Sequence, residues 1–276
     1  YLLNEQRLRL KFRKNIDLDI KYLRKKILNS EISYKNIYCE FMNYFLKNSN
    51  KSIWGEFAGL QWREIPQFID FFNEGKVIHM FRDPRAVLAS WKKLSSIPNN
   101  AYLNCIFNWI DSTNHLLKFK RILNENIYFA CKYEDLMNFP KKNVSKLINY
   151  IGVKQSKILF QPDNWSKSFN PQLVTMPRSA HEGEKIIGFS KKRISNWKKN
   201  LEDWEIALVE FLCLENMKKL GYSKNFKNLT LSNKLIKKAI MEMKKNKLIY
   251  NNYNNFLNNG IGTNRYPLDP TDPRSW

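Results

Sequence analysis

The hydrophobic positions change period several times along the chain. Residues 4–14 and 16–29 read as charged helices, and in the second Ile16, Ile20, Leu23 and Ile27 recur every three or four residues. Residues 33–47 predict a third helix. SIWGEF (52–57) is a short strand candidate, and WREIPQFIDFF (62–72) predicts a helix with Pro66 near its start. GKVIHMF (75–81) is a continuous apolar run behind a glycine, the pattern of a buried parallel strand. PRAVLASWKK follows as a helix with proline at its first position. Residues 101–123 predict a long amphipathic helix. IYFACKY (127–133) repeats the buried-strand pattern, and EDLMNFPKKNVSKLINYIGV reads as a loop and a helix ending at Gly152. Strands alternating with helices indicate an α/β fold with a parallel sheet.

Beyond 154 the pattern is irregular up to 189, with Pro162, Pro171 and Pro177. Helices resume at about 191–200 and 203–219, and Gly221 supplies a stop. Residues 223–276 differ in character. One helix at about 232–247 precedes an Asn-rich stretch and RYPLDPTDPRSW, whose prolines exclude regular structure. The expected organisation is one domain over 1–222 and a C-terminal helical and Pro-rich extension over 223–276.

A length of 276 residues suits one large domain with an extension, and 43% hydrophobic residues suffice for a sizeable core. No run approaches the ~18 apolar residues of a membrane span. The first 30 residues, starting at Tyr1, lack the pattern of a secretory signal. Cys39, Cys105, Cys131 and Cys213 form no CxxC pair and have no histidine cluster beside them, so no metal site is expected. Free thiols of this kind suggest a reduced, cytoplasmic compartment. The net charge of +22 suits polyanionic partners, although much of the lysine reads equally as solvated surface. No nucleic-acid-binding motif is present, so no nucleic-acid partner is expected. A phosphorylated small molecule needs only a few of these cations.

The join after Phe81 carries Arg82, Asp83, Pro84 and Arg85. In an open parallel sheet, ligands bind beyond the carboxyl ends of the strands, where helix N-termini offer free N–H groups. Asp83 is placed to cap the helix. Ser90 follows it by seven residues, close to two turns, and so shares its face. A guanidinium and a hydroxyl converging there suit one phosphate group. A surface Arg–Asp pair beside an ordinary helix serine fits the same spacing.

KVIHMFRDPRAVLAS resembles the 3′-phosphate-binding segment of the PAPS-dependent sulfotransferases (PAPS is 3′-phosphoadenosine 5′-phosphosulfate). YLNCIFNWIDSTNHLL resembles that family's tryptophan-bearing helix, with Trp109. FACKYEDLMNFP is similar to its strand and RYEDL segment, and GFSKKRISNWKKNLEDWEIALVEFLCLENMKKLGY to its C-terminal segment. The likeness covers about 52–222. It implies a three-layer parallel sheet flanked by helices, of the P-loop nucleoside triphosphate hydrolase-like type. It also implies transfer of a sulfuryl group from PAPS to a hydroxyl or amine, with no metal required.

The resemblance further implies roles for single residues. Arg82 and Ser90 would hold the 3′-phosphate, and Tyr133 would lie close to the nucleotide, unless it is a core aromatic. Glu134 and Asp135 would order the next turn or cap its helix. Arg193 would close over the 3′-phosphate, although SKKRISNW lacks the family's Arg-Lys-Gly run. Lys191, Lys192 and Lys198 fit a solvated face. Glu56 matches the general base of the carbohydrate-type enzymes, which suggests a carbohydrate acceptor. It would also serve as a turn cap, and Phe57 stands where the family has lysine. His181 is a candidate acceptor contact, His79 a core residue and His115 a surface residue. No glycine precedes Gly55, so the family's 5′-phosphosulfate loop and first strand are not seen, and an N-terminally incomplete domain is expected. Two rival classes follow. One is a non-catalytic nucleotide- or glycan-binding relative. The other, a nucleotide kinase, needs a phosphate loop and Mg²⁺ ligands that are not seen.

Overall fold

The computed structural model describes residues 19–49, 52–56, 58–94, 99–161 and 188–262. The expected helix at 4–14, Phe57, His181 and the Pro-rich end lie outside them. Val77–Phe81 forms strand β1 and Tyr128–Lys132 forms strand β2. They pair in parallel, from Val77 opposite Tyr128 to Phe81 opposite Lys132. A parallel pair needs a long crossover. The helices Pro84–Leu94 and Asn104–Ile122 supply it.

Two expectations for this region change. The apolar run of β1 predicted burial on both faces, but only His79 is buried, while Ile78 and Met80 are 39% and 49% exposed. Among the described residues the sheet has two strands, and the side chain of β1 that turns inward is His79, held between Tyr128 and Ser112. Residues 52–56 form no strand. Ile53 is exposed. Trp54 packs edge-on against Tyr38 and Phe72, with ring centroids 5.4 and 5.5 Å away. Aromatic packing, not ladder pairing, places this segment.

Tyr133–Asn138 is a helix where a loop was expected. Glu134 and Asp135 in its first turn favour a helix N-terminus. Phe139 leaves helical geometry, as a residue before proline tends to, and Pro140 opens the next helix, Pro140–Ile151. Gly152, at φ 85°, ends that helix in the left-handed conformation that glycine adopts without strain.

Most of the core lies among helices. Leu88, Ile106, Phe107, Leu208, Val209 and Met217 are almost fully buried in one cluster. The helix Leu229–Lys244 adds Ala239 and Met243. A further helix, Lys247–Asn259, adds Ile249 and Tyr253, where the Asn-rich sequence predicted none. Asn246 caps it by accepting from the Leu248 and Ile249 N–H groups. Packing of the stripe Ile249, Tyr253 and Phe256 overrides the weak helix propensity of asparagine. A smaller cluster joins Trp62, Ile65, Phe119 and Tyr128. Beside it, buried Asp111 accepts from Trp62 Nε1 at 2.7 Å and from both ends of the Arg63 fork at 2.8 Å. No helix among the described residues is long and apolar enough to cross a membrane.

Candidate functional site

The register of the sheet builds the first wall of the site. With Phe81 opposite Lys132, the next residues along the two strands, Arg82 and Tyr133, emerge side by side at the carboxyl edge. The Arg82 guanidinium lies over the Tyr133 ring, 4.3 Å from its centroid, a cation–π arrangement. Trp109 Nε1 donates to the Arg82 carbonyl at 2.8 Å and holds the end of the strand. Arg82 Nη2 donates to the Arg193 carbonyl, which brings the late helical segment onto the join.

Two helical faces meet there. Ala86, Ala89, Ser90 and Lys93 line a cleft from the helix Pro84–Leu94, and Arg193, Asn196, Trp197 and Asn200 line it from the other side. Both sets follow the i, i+3, i+4, i+7 spacing of a single helix face. The second set comes from two short helices, Lys192–Ser195 and Trp197–Asn200, with Asn196 helical between them. Buried Ala86 and Ala89 let the two faces approach closely. The cleft has a volume of about 30 Å³. That is room on the order of two waters, or one compact anionic group, and far less than a whole small-molecule pocket.

Two donors of the residues that line the cleft lack acceptors. The Nε groups of Arg82 and Arg193 are both buried and have no hydrogen-bond partner. Buried polar groups in folded proteins are nearly always satisfied, so an orphaned pair in one cleft calls for an explanation. Burial pulls the Arg82 guanidinium below its usual pKa, with Tyr133 and Glu134 acting the other way.

Behind the cleft stands a layer that the sequence did not reveal. Arg85, which follows Arg82 by three residues, is bound twice by Asp83 and once by Glu210. Asp83 also caps its helix, accepting the Arg85 N–H at 2.9 Å, so the expected Arg–Asp pair is a buried one. Glu134 is buried as well. It accepts the Asp83 N–H and the Tyr222 hydroxyl, each at 2.9 Å. Burial and then the Glu134 carboxylate push the Tyr222 phenol well above its usual value. No local pattern marks Glu210 or Tyr222 as partners of this join, because 125 and 88 residues separate them from Arg85 and Glu134.

Arg82, Ser90 and Arg193 thus share one cleft, and Tyr133 touches it through Arg82. Trp197, Asn196 and Asn200 join it without having been singled out as ligands; their heptad-like spacing from Arg193 was the available signal. Lys191, Lys192 and Lys198 are exposed. Glu56 stands apart from the residues that line the cleft. It is exposed and accepts from the Tyr38 hydroxyl. Burial, followed by that carboxylate, pushes the Tyr38 phenol up.

Residues 25–157 match the model of the sulfotransferase family. Two solved structures share the fold. The sulfotransferase domain from the Synechococcus PCC 7002 olefin synthase is 16% identical, with a TM-score of 0.53, and the match covers 77% of this chain and 80% of that one. The sulfotransferase domain from the curacin biosynthetic pathway is 18% identical, with a TM-score of 0.52, and 77% of each chain is covered. The helix-rich α/β architecture with its parallel strand pair is therefore a sulfotransferase fold. The family match runs across the strand–helix join and the crossover, so the segment that carries Arg82, Ser90 and Tyr133 resembles the sulfotransferase family.

Proposed function

We propose that this protein transfers a sulfuryl group from PAPS to a hydroxyl or amine, and that the cleft at the end of β1 takes the donor's 3′-phosphate. One observation carries the reading: two buried guanidinium Nε groups without an acceptor belong to Arg82 and Arg193, which line one cleft. Arg82 has a ring face and a carbonyl as neighbours, but no carboxylate at ion-pair distance among the described residues. An anion of phosphate size would neutralise both cations and accept both N–H groups. Ser90 lines the same cleft and would add a hydroxyl donor. A 3′-phosphate is a compact group, which suits so small a volume; the rest of the nucleotide would lie along the carboxyl edge of the sheet beside Tyr133.

In the transfer itself, the acceptor oxygen or nitrogen attacks sulfur in line. The bond from sulfur to the phosphate oxygen breaks, and 3′-phosphoadenosine 5′-phosphate leaves. The acceptor's proton goes to a base, and Glu56 is proposed for that role. Its exposed carboxylate is free of burial and held by one donated hydrogen bond from Tyr38. Its place outside the cleft lining favours a second reading, a relative that binds the nucleotide without turning it over.

One experiment separates the two. Nucleotide binding is measured by titration calorimetry, and sulfuryl transfer from labelled PAPS to a panel of glycans and hydroxylated small molecules. Arg82→Ala is expected to weaken 3′-phosphoadenosine 5′-phosphate by about 2 kcal/mol or more, as charge-assisted contacts are lost. Equal wild-type affinity for adenosine 5′-phosphate would remove the 3′-phosphate assignment. Glu56→Gln is expected to keep nucleotide affinity while transfer falls by about 10²–10⁴-fold. Binding without transfer in the wild type would establish the non-catalytic reading.

A further inference from the structure

Arg85 is only 5% exposed and does not line the cleft, yet it packs on Trp197, which does. Its Nε and Nη2 donate to the two oxygens of Asp83, at 2.9 and 2.6 Å. Its Nη1 donates to Glu210 Oε1 at 2.6 Å and to the Ser223 carbonyl at 3.0 Å. Glu210 is itself fixed, accepting the N–H groups of Asn225 at 2.6 Å and Phe226 at 3.2 Å. The guanidinium carbon then lies 4.1 Å from the centroid of the Trp197 indole. Trp197 is buried and is also a wall of the cleft, one helical turn after Arg193.

We infer that Arg85 is a positioning residue for the anion cleft: it is the platform on which Trp197 rests, and so it sets where Arg193 stands relative to Arg82. The inference rests on the nucleotide reading proposed above. A buried ion pair alone would need charge and hydrogen bonds, which two carboxylates already supply. Stacking under Trp197 needs, in addition, a planar cation held in one orientation, and the fork of Asp83 and Glu210 fixes that plane. Lysine can replace the charge but neither the plane nor the fork. Misplacement of binding groups by about 1 Å is enough to cost a large factor in function. The consequence is specific: damage to the platform should be felt by the ligand's 3′-phosphate and not by the rest of the nucleotide.

The test titrates the 276-residue chain with 3′-phosphoadenosine 5′-phosphate and with adenosine 5′-phosphate, for wild type, Arg85→Lys, Trp197→Leu and the double variant. Arg85→Lys is expected to weaken the first ligand at least tenfold and the second by less than twofold. Trp197→Leu, which leaves the Asp83 and Glu210 pairs in place, should do the same. The double variant should be no worse than the weaker single one, since both act through one contact. A wild type that fails to distinguish the ligands overturns the nucleotide reading, and the inference with it. A wild type that does distinguish them, with Arg85→Lys losing both affinities alike or neither, overturns the inference alone. If Arg85→Lys does not fold, Trp197→Leu and Glu210→Gln carry the test, and unchanged discrimination in both overturns it.

Discussion

Arg82 and Arg85 occupy one turn of chain and are held in opposite ways. Arg85 is saturated: burial works against its charge, but Asp83 and Glu210 outweigh it and its pKa is raised. Arg82 is desolvated over Tyr133 with an orphaned Nε, and its pKa is lowered. The saturated cation builds structure, and the unsaturated one is the group we propose for the ligand. His79 is a third buried polar group at the same strand. Its ring nitrogens sit 2.6 Å from the Tyr128 hydroxyl and 2.9 Å from Ser112 Oγ. Burial, with a smaller push from His115, brings its pKa down to about 4. A base with a lowered folded-state pKa stabilises the fold fully above its unfolded value near 6.5, and the contribution fades as pH falls towards 4. From pH 7 to 4.5 this residue should cost up to about 3 kcal/mol. Urea denaturation of wild type and His79→Gln at both pH values checks it: the glutamine variant should lose distinctly less stability on acidification. Equal losses would show that other groups govern the acid response.

At the scale of elements, the cleft exists because two helix faces carry small residues where they meet. Ala86 and Ala89 are 2% and 6% exposed, against the turn that bears Trp197. Enlarging one of them forces the faces apart or fills the space between them. Ala89→Leu should cost about 1–3 kcal/mol by overpacking. It should also abolish detectable binding of 3′-phosphoadenosine 5′-phosphate, whereas Ala89→Ser should retain it. Calorimetric titration and thermal melts together make the measurement. A leucine variant that binds normally would place the anion elsewhere. The end of this element is equally specific: Asp83 caps it, Pro84 opens it, and β1 delivers Arg82 just before it.

At the scale of the whole molecule, the helices Leu229–Lys244 and Lys247–Asn259 share the main core with the helix Asp203–Leu212, which carries Glu210. The site is thus supported from the C-terminal side. Ile249 is 1% exposed and belongs to that core. Ile249→Ala should therefore cost about 2–5 kcal/mol, the range for emptying a buried site of this size. Differential scanning calorimetry should show one cooperative transition moved to lower temperature. An unchanged midpoint, or loss of a separate minor transition, would mean that these helices form an independent appendage.

The sequence by itself determined what depends on near neighbours. Apolar runs bounded by Gly75 and by the charged join marked β1, and proline at position 84 marked the start of the helix after it. The seven-residue spacing from the cap Asp83 put Ser90 on the cap's face of the helix, beside the strand end that carries Arg82, because helix period is a property of the local backbone. Tertiary structure alone decided the rest. Residues 52–56 had strand composition but take their place from the rings of Tyr38 and Phe72. Asparagine-rich 247–259 became helix because Ile249 and Tyr253 found a core to enter. The second wall of the cleft, with Trp197 and Arg193, comes from more than 100 residues away. Arg85 could be read as one charge among many until Glu210 and Trp197 closed around it. Local periodicity specifies an element. Which buried charge is satisfied and which is left open depends on contacts between distant segments, and these form only when the chain has folded.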